Sequence, residues 1–89
     1  VMFVNFGEKE ATYAIKAAIA LRKENIATEV YPESAKMKKQ MNYANAKNFP
    51  YVILAGENEI NSESYTLKNM QTGDQQTLQL EKIIQQLKQ

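Results

Sequence analysis

Three short stretches gather the side chains in this chain best suited to act on another molecule: Asn5-Phe6-Gly7, Tyr31-Pro32-Glu33-Ser34 and Gly56-Glu57-Asn58-Glu59. Between the second and third runs a set of lysines, Lys36, Lys38, Lys39 and Lys47, with no acidic residue from Ser34 to Gly56. Carboxamides, hydroxyls, carboxylates, rings and ammonium groups are tools of polar recognition. The groups that make and break bonds are scarce. The chain has neither His nor Cys, which removes the commonest general base, the thiolate nucleophile and the usual metal ligands. Gly7 alone after an apolar run is not a phosphate loop of the GxGxxG or GxxxxGK kind. Glu57 and Glu59 lie two apart, and paired acids can do acid–base work. Neither has an evident partner, so solvated loop carboxylates are the simpler reading and catalysis by this chain alone is not expected.

These residues are positioned by a regular alternation of elements. Val1–Phe6 is a near-continuous apolar run ended by Gly7, as strands buried on both faces read. From Glu8 to Asn25 the pattern is helical, with Ala11, Ala14, Ile15, Ala18 and Leu21 forming one stripe. Glu8 and Glu10 in its first turn and Arg22 and Lys23 in its last complement the helix dipole, and Asn25 suits the left-handed position beyond its end. Ile26–Tyr31 alternates like an edge strand and stops at Pro32. Ser34 is the expected N-cap of a second helix over 35–47, with Met37, Met41 and Ala44 facing inward. Tyr51–Ala55 is the clearest strand. Residues 57–63 are polar and read as a turn. Tyr65–Lys68 and Thr77–Leu80 alternate around Thr72-Gly73-Asp74, which predicts a hairpin. Leu80, Ile83, Ile84 and Leu87 then fit a final helix.

Short connections and right-handed crossovers make the first three strands parallel, and the hairpin makes the sheet mixed. The fold class predicted is α/β: three layers, a five-stranded mixed sheet and three helices. With 89 residues the chain is one domain with a modest core. A hydrophobic fraction of 44% and a charged fraction of 24% exclude a disordered composition. No apolar run approaches the ~20 residues that span a bilayer, and no membrane partner is expected. The sequence opens on Val1 inside an apolar run, without a charged leading region, which suggests a segment excised from a longer protein and no secretion signal.

The Ser34–Gly56 segment carries +4 in a chain whose net charge is +1, which leaves −3 for the remainder. One basic face on a nearly neutral domain fits local contact with phosphate, although a lysine-rich helix is more often simply solvated. In open α/β sheets ligands bind beyond the carboxyl ends of the parallel strands, and the three stretches named at the outset all fall there. Amides and carboxylates read base edges, aromatic rings stack on exposed bases and lysines pair with phosphate. Taken one at a time, plainer roles account for each residue: Asn5 bonding its own turn, Phe6 and Tyr31 in the core, Ser34 as a cap, Glu59 as a loop acid. Their convergence is what favours binding of unpaired bases.

Several strings together resemble a known family: Val4-Asn5-Phe6-Gly7-Glu8; Ala20-Leu21-Arg22-Lys23; residues 31–40 (YPESAKMKKQ); residues 48–60 (NFPYVILAGENEI); and residues 67–75 (LKNMQTGDQ). The combination of K-x-x-K-Q, P-Y-V-I and G-E-x-E resembles the C-terminal anticodon-binding domain of class II aminoacyl-tRNA synthetases, in its histidyl form, over essentially the whole chain. The resemblance implies a sheet domain appended to a catalytic core, and a tRNA partner whose anticodon bases dock over the strand-end loops and the later hairpin strand. By position it implies contacts from Asn5, Glu33, Ser34, Lys36, Glu59 and Lys68. The neighbouring Phe6, Gly7, Tyr31 and Lys39 complete the candidate set. Threonyl relatives tend to carry Arg where this chain has Lys68, and Lys lacks the planar bidentate fork, which weakens a threonyl assignment.

The resemblance further implies that ATP and amino acid are bound by class II motifs outside this chain, so that these residues bind tRNA without a cofactor or metal of their own. It implies a cytoplasmic parent enzyme, dimeric through its catalytic core, and leaves the isolated domain free to be monomeric. Three alternatives stay open. One is the same domain in a threonyl, prolyl or glycyl enzyme or a non-catalytic paralogue. Another is a free-standing module for a small ligand or protein. The third is a small enzyme using Glu57 and Glu59.

Overall fold

The computed structural model describes residues 1–88. Its elements run β1 (Met2–Phe3), α1 (Glu8–Lys23), β2 (Glu29–Val30), α2 (Met37–Ala46), β3 (Tyr51–Leu54), α3 (Glu57–Asn61), β4 (Tyr65–Asn69), β5 (Gln75–Leu78) and α4 (Leu80–Leu87). The sheet has the order β2-β1-β3-β4-β5. β1 pairs in parallel with β2 (Phe3 opposite Val30) and with β3 (Phe3 opposite Ile53), while β3–β4 and β4–β5 are antiparallel. This is the mixed five-stranded sheet read from the sequence, with β2 at one edge and the hairpin at the other.

Side chains alternate across the sheet, so each strand feeds two clusters. Phe3, Ile53, Tyr65 and Leu67 point to the side covered by α1 and α4, where they meet Ala14, Ala17, Ala18, Leu21 and Ile83. Met2, Val4, Val52 and Leu54 point to the other side, where they meet Tyr31, just after β2, and Ala44 of α2. That second cluster contains no residue of β5. On this side Thr77 of β5 meets Thr66 across the strands, with the two hydroxyl oxygens 3.2 Å apart, and Gln75 opposes Lys68. Gln75 and Thr77 are exposed. One half of this sheet face is therefore covered by α2 and the other half is open.

Four details differ from the sequence reading, each for a physical reason. Among the described residues there are four helices, not three: residues 57–61, read as a turn, form α3. The Glu59 carboxylate reaches back to the Gly56 N–H at 2.7 Å and satisfies a donor that the start of a helix otherwise leaves open. Ser34 is not the cap of α2. The helix begins at Met37 with Lys36 at the N-cap position, and no side chain caps it. Met37 is exposed, and the fully buried positions of α2 are Gln40 and Ala44. On α1 the inward face is Ala14, Ala17, Ala18 and Leu21, whereas Ile15 and Ile19 are nearly half exposed. Alanines let the helix backbone lie close against a flat sheet, so close packing outweighs the bulk of isoleucine in choosing the face.

Candidate nucleic-acid interface

Parallel pairing of β1, β2 and β3 places their carboxyl ends at one edge, and the loops that follow are tied together there. Asn5 is the knot. Its N–H donates to Gln40 Oε1 at 2.6 Å, and its carbonyl accepts from Gln40 Nε2 at 2.8 Å. Its side-chain Nδ2 donates to the Tyr31 carbonyl at 3.1 Å, and its Oδ1 accepts the Gly7 N–H at 3.0 Å. One residue thus fastens the end of β1 to the end of β2, to the start of α1 and to the body of α2. Gln40 also donates to the Ala35 carbonyl at 2.8 Å, which fixes the approach to α2 and turns the Lys36–Lys39 segment toward this edge. Gly7 is needed at the start of α1 because its backbone sits at φ 147 and ψ 178, a region essentially restricted to glycine.

The Gly56–Glu59 loop closes the other side. A β-carbon added at Gly56 would lie 3.7 Å from the Phe6 ring, so these two loops are in near contact. The Glu59 carboxylate holds the Gly56 N–H with Oε1 and accepts from the Thr66 hydroxyl at 3.3 Å with Oε2. The contact continues from Thr66 to Thr77, so a polar line leads from the loop edge onto the open face of the hairpin. α3 is held from behind by Tyr13, whose hydroxyl donates to the carbonyls of Ser64 at 2.9 Å and Glu59 at 3.3 Å. Tyr13 stacks on Tyr65 with ring centroids 4.6 Å apart. Burial is the main cause that raises the pKa of both phenols, and each also feels the other.

The candidate residues divide between scaffold and surface. Asn5 and Tyr31 are buried; Tyr31 packs edge-on against Tyr43 in the cluster under α2. The plainer readings, Asn5 bonding its own turn and Tyr31 in the core, describe what these two side chains do in the folded chain. Gly7 shapes the backbone. The exposed members are Glu33, Ser34, Lys36 and Lys39, with Phe6 and Glu59 half-buried beside them. Lys39 and Glu33 approach to 3.4 Å with both side chains 64% exposed, a pairing worth at most ~1 kcal/mol, so either can be recruited by a ligand. Lys68 is not at the loop edge. It lies on β4 opposite Val52, on the same face as Thr66, so it extends the surface down the open half of the sheet. Gln40, Tyr13, Thr66 and Thr77 were not among the sequence candidates. Of these, only Gln40 was visible in a motif, as the last residue of K-x-x-K-Q.

The arrangement offers ring, carboxylate, hydroxyl and ammonium groups in a line across an edge and an open sheet face. Among the described residues there is no cluster of three or more potential metal ligands. No helix among them is long and apolar enough to cross a membrane.

Comparison with known proteins agrees with this fold. In sequence, the chain is 60% identical over 78 residues to a histidine–tRNA ligase of Christiangramia forsetii, a match covering 88% of this chain and 17% of that protein. It is 48% identical over 83 residues to one of Bacteroides fragilis, covering 93% and 18%. The chain thus spans under one fifth of the length of these relatives. In structure, it superposes on the RNA binding domain of a threonyl-tRNA synthetase from Cryptosporidium parvum with a TM-score of 0.91 at 22% identity, covering 98% of this chain and 22% of that one. A histidyl-tRNA synthetase from Nostoc gives 0.91 at 21% identity, covering 98% and 21%. The anticodon binding domain family matches residues 1–89, and with its mixed sheet and tied strand-end loops this chain belongs to that family.

Proposed function

We propose that this domain binds the anticodon loop of a tRNA, and that it does so as the recognition domain of a histidine–tRNA ligase, which attaches histidine to its tRNA using ATP bound in a catalytic domain outside this chain. The observation that carries the reading is the surface that joins Phe6, Lys36 and Glu59 at the strand-end edge to Lys68, Gln75 and Thr77 on the open sheet face. Unpaired loop bases need planar and polar groups for their faces and edges and cations for the backbone between them, and this surface supplies each. The histidyl assignment is supported by the 60% and 48% identities to histidine–tRNA ligases. The domain adds binding energy and orients the RNA, and places the acceptor end for chemistry performed elsewhere. On this reading the parent enzyme is a cytoplasmic homodimer, and the domain itself requires neither cofactor nor metal.

Fluorescence anisotropy of the chain against an anticodon stem-loop carrying GUG, with threonine, proline and glycine loops as competitors, tests this at low and moderate salt. Preference for GUG with steep salt dependence supports the histidyl reading. Binding without preference keeps the tRNA partner and removes the histidyl assignment from this domain. No binding at any salt removes both.

A further inference from the structure

At the far end of the face covered by α2, away from the strand-end loops, lies a cleft of about 330 Å³. It is bounded by Asn45 and Asn48 at the end of α2, by Phe49 and Tyr51 leading into β3, and by Met70 and Gln71 after β4. Its chemistry differs from that of the loop edge. No acidic or basic side chain lines it, so it has no cation for a phosphate and no anion for an amine or metal. It presents carboxamides, which both donate and accept, around two rings and a thioether. Among the described residues no hydrogen bond engages the side chains of Asn45, Asn48 or Gln71. The floor is rigid: the Met70 N–H donates to the Pro50 carbonyl at 2.9 Å, and Asn69 Oδ1 accepts the N–H groups of Gln71 and Thr72 at 2.9 and 3.1 Å.

We propose that this cleft holds one further unpaired nucleobase of the bound RNA, separate from the bases that dock at the strand-end edge; the inference rests on the tRNA reading above. A neutral, planar ring system with donors and acceptors on its edge matches a neutral cleft with rings and carboxamides, and its volume, at the lower end for small-molecule sites, suits a base without its phosphate. Lys68 of β4 stands two residues before Met70 of the cleft, on the side of β4 that α2 leaves open. From Pro50 to Gly56, β3 and its ends cover ~20 Å at ~3.3 Å per residue, and Lys68 lies between on the same face. Stacked bases advance ~3.4 Å each, so the two places lie about six stacked nucleotides apart, and a base entering the cleft leaves the stack, the state in which single bases are read.

The test is a paired binding measurement on the 89-residue chain. Asn45→Ala/Gln71→Ala changes two exposed side chains and leaves Asn48 at its positive φ of 59. Its affinity is measured for the GUG stem-loop and for a series in which each loop base in turn is replaced by an abasic site, with circular dichroism to verify the fold. The expected result is a roughly tenfold weaker affinity for the intact loop, in line with the loss of two hydrogen bonds to the base edge, and no further loss on the one loop whose missing base is the docked one. A variant that binds the intact loop like the unaltered chain overturns the proposal while leaving the tRNA reading intact. An equal loss on every abasic loop also overturns it and points to a cleft that packs against protein. If the unaltered chain binds no stem-loop, the tRNA reading fails and this proposal with it.

Discussion

Gln40 and Asn5 hydrogen-bond reciprocally: the side-chain amide of the one accepts the N–H of the other and donates to its carbonyl, at 2.6 and 2.8 Å. Asn5 stands where β1 has just left the sheet, and Gln40 lies on the fully buried face of α2. The pair extends the hydrogen bonding of a strand into a helix side chain and sets how α2 is turned about its axis. Gln40→Ala should therefore destabilise the domain by about 3 kcal/mol, because two buried backbone groups lose their partners at ~1–3 kcal/mol each. Gln40→Glu should be no better, since it buries a charge. Urea unfolding monitored by circular dichroism measures both. A loss under ~1 kcal/mol for the alanine variant would show that water replaces the amide without penalty.

Gly7→Ala should cost about 1–3 kcal/mol through the backbone alone. The new β-carbon would come within 2.9 Å of Glu10 Oε1, but that oxygen ends a flexible side chain and can move, whereas the φ of 147 cannot be relaxed without detaching α1 from the Asn5 loop. At Gly73, with φ 83 and open space around it, asparagine should be tolerated better than alanine because it visits the left-handed region more readily. Thermal unfolding of Gly7→Ala, Gly73→Ala and Gly73→Asn ranks the three. Finding Gly7→Ala as stable as the parent would contradict the backbone argument.

Lys36→Ala should leave folding within ~0.5 kcal/mol, as expected of an exposed position, yet weaken RNA binding and reduce the slope of log affinity against log salt by about 0.7, the single-strand value per phosphate contact. Titrations at three salt concentrations give that slope directly. A variant with the parental slope would remove Lys36 from the phosphate contacts.

Glu59 has a structural duty as well as an exposed edge. Glu59→Gln keeps an acceptor for the Gly56 N–H and should cost under ~1 kcal/mol, whereas Glu59→Ala should cost ~1 kcal/mol as the capping bond is lost. Toward RNA, the glutamine exchanges an acceptor for a donor, so the preference among anticodon loops should change more than the overall affinity. Competition binding with the four loops decides it: an equal loss for all of them would confine Glu59 to holding α3.

The phenol of Tyr65 is pushed well above the usual tyrosine range, first by burial and then by Tyr13. Above the unfolded value of ~10, the unfolded chain ionises while the folded chain holds its proton. The folded state then binds more protons, and stability falls as pH rises. Stability should be level through neutral pH and decline from about pH 10 upward, more shallowly in Tyr65→Phe. Denaturant midpoints measured between pH 8 and 11 test this, and identical slopes for the parent and Tyr65→Phe would assign the alkaline loss to other groups.

Local patterns reached far in this chain. The apolar runs of β1 and β3, the alternation of β4 and β5 and the 3–4 spacing of α4 each carry their own period, and period is a property of neighbours along the chain. Pro32 and Asn25 mark ends because their backbone preferences act on the spot; Asn25 does adopt φ 63. The loops of the candidate site were legible for the same reason, as stretches between periodic runs.

Partners distant in sequence were not legible. Gln40 looked like one more polar position on a basic helix, and only the folded chain brings it to the peptide of Asn5, which buries it completely. Asn5 and Tyr31, chosen for their chemistry, turned inward, and Ile15 lost its expected place to Ala17 because a flat sheet rewards a thin helix face. Sequence alone determined which of the longer segments form strands and helices, and where along the chain the candidate binding groups gather. Tertiary structure decided which of those groups face solvent and which hold the frame, because burial depends on what packs opposite a residue, and that neighbour is set by sheet order and helix rotation rather than by adjacent positions in the chain.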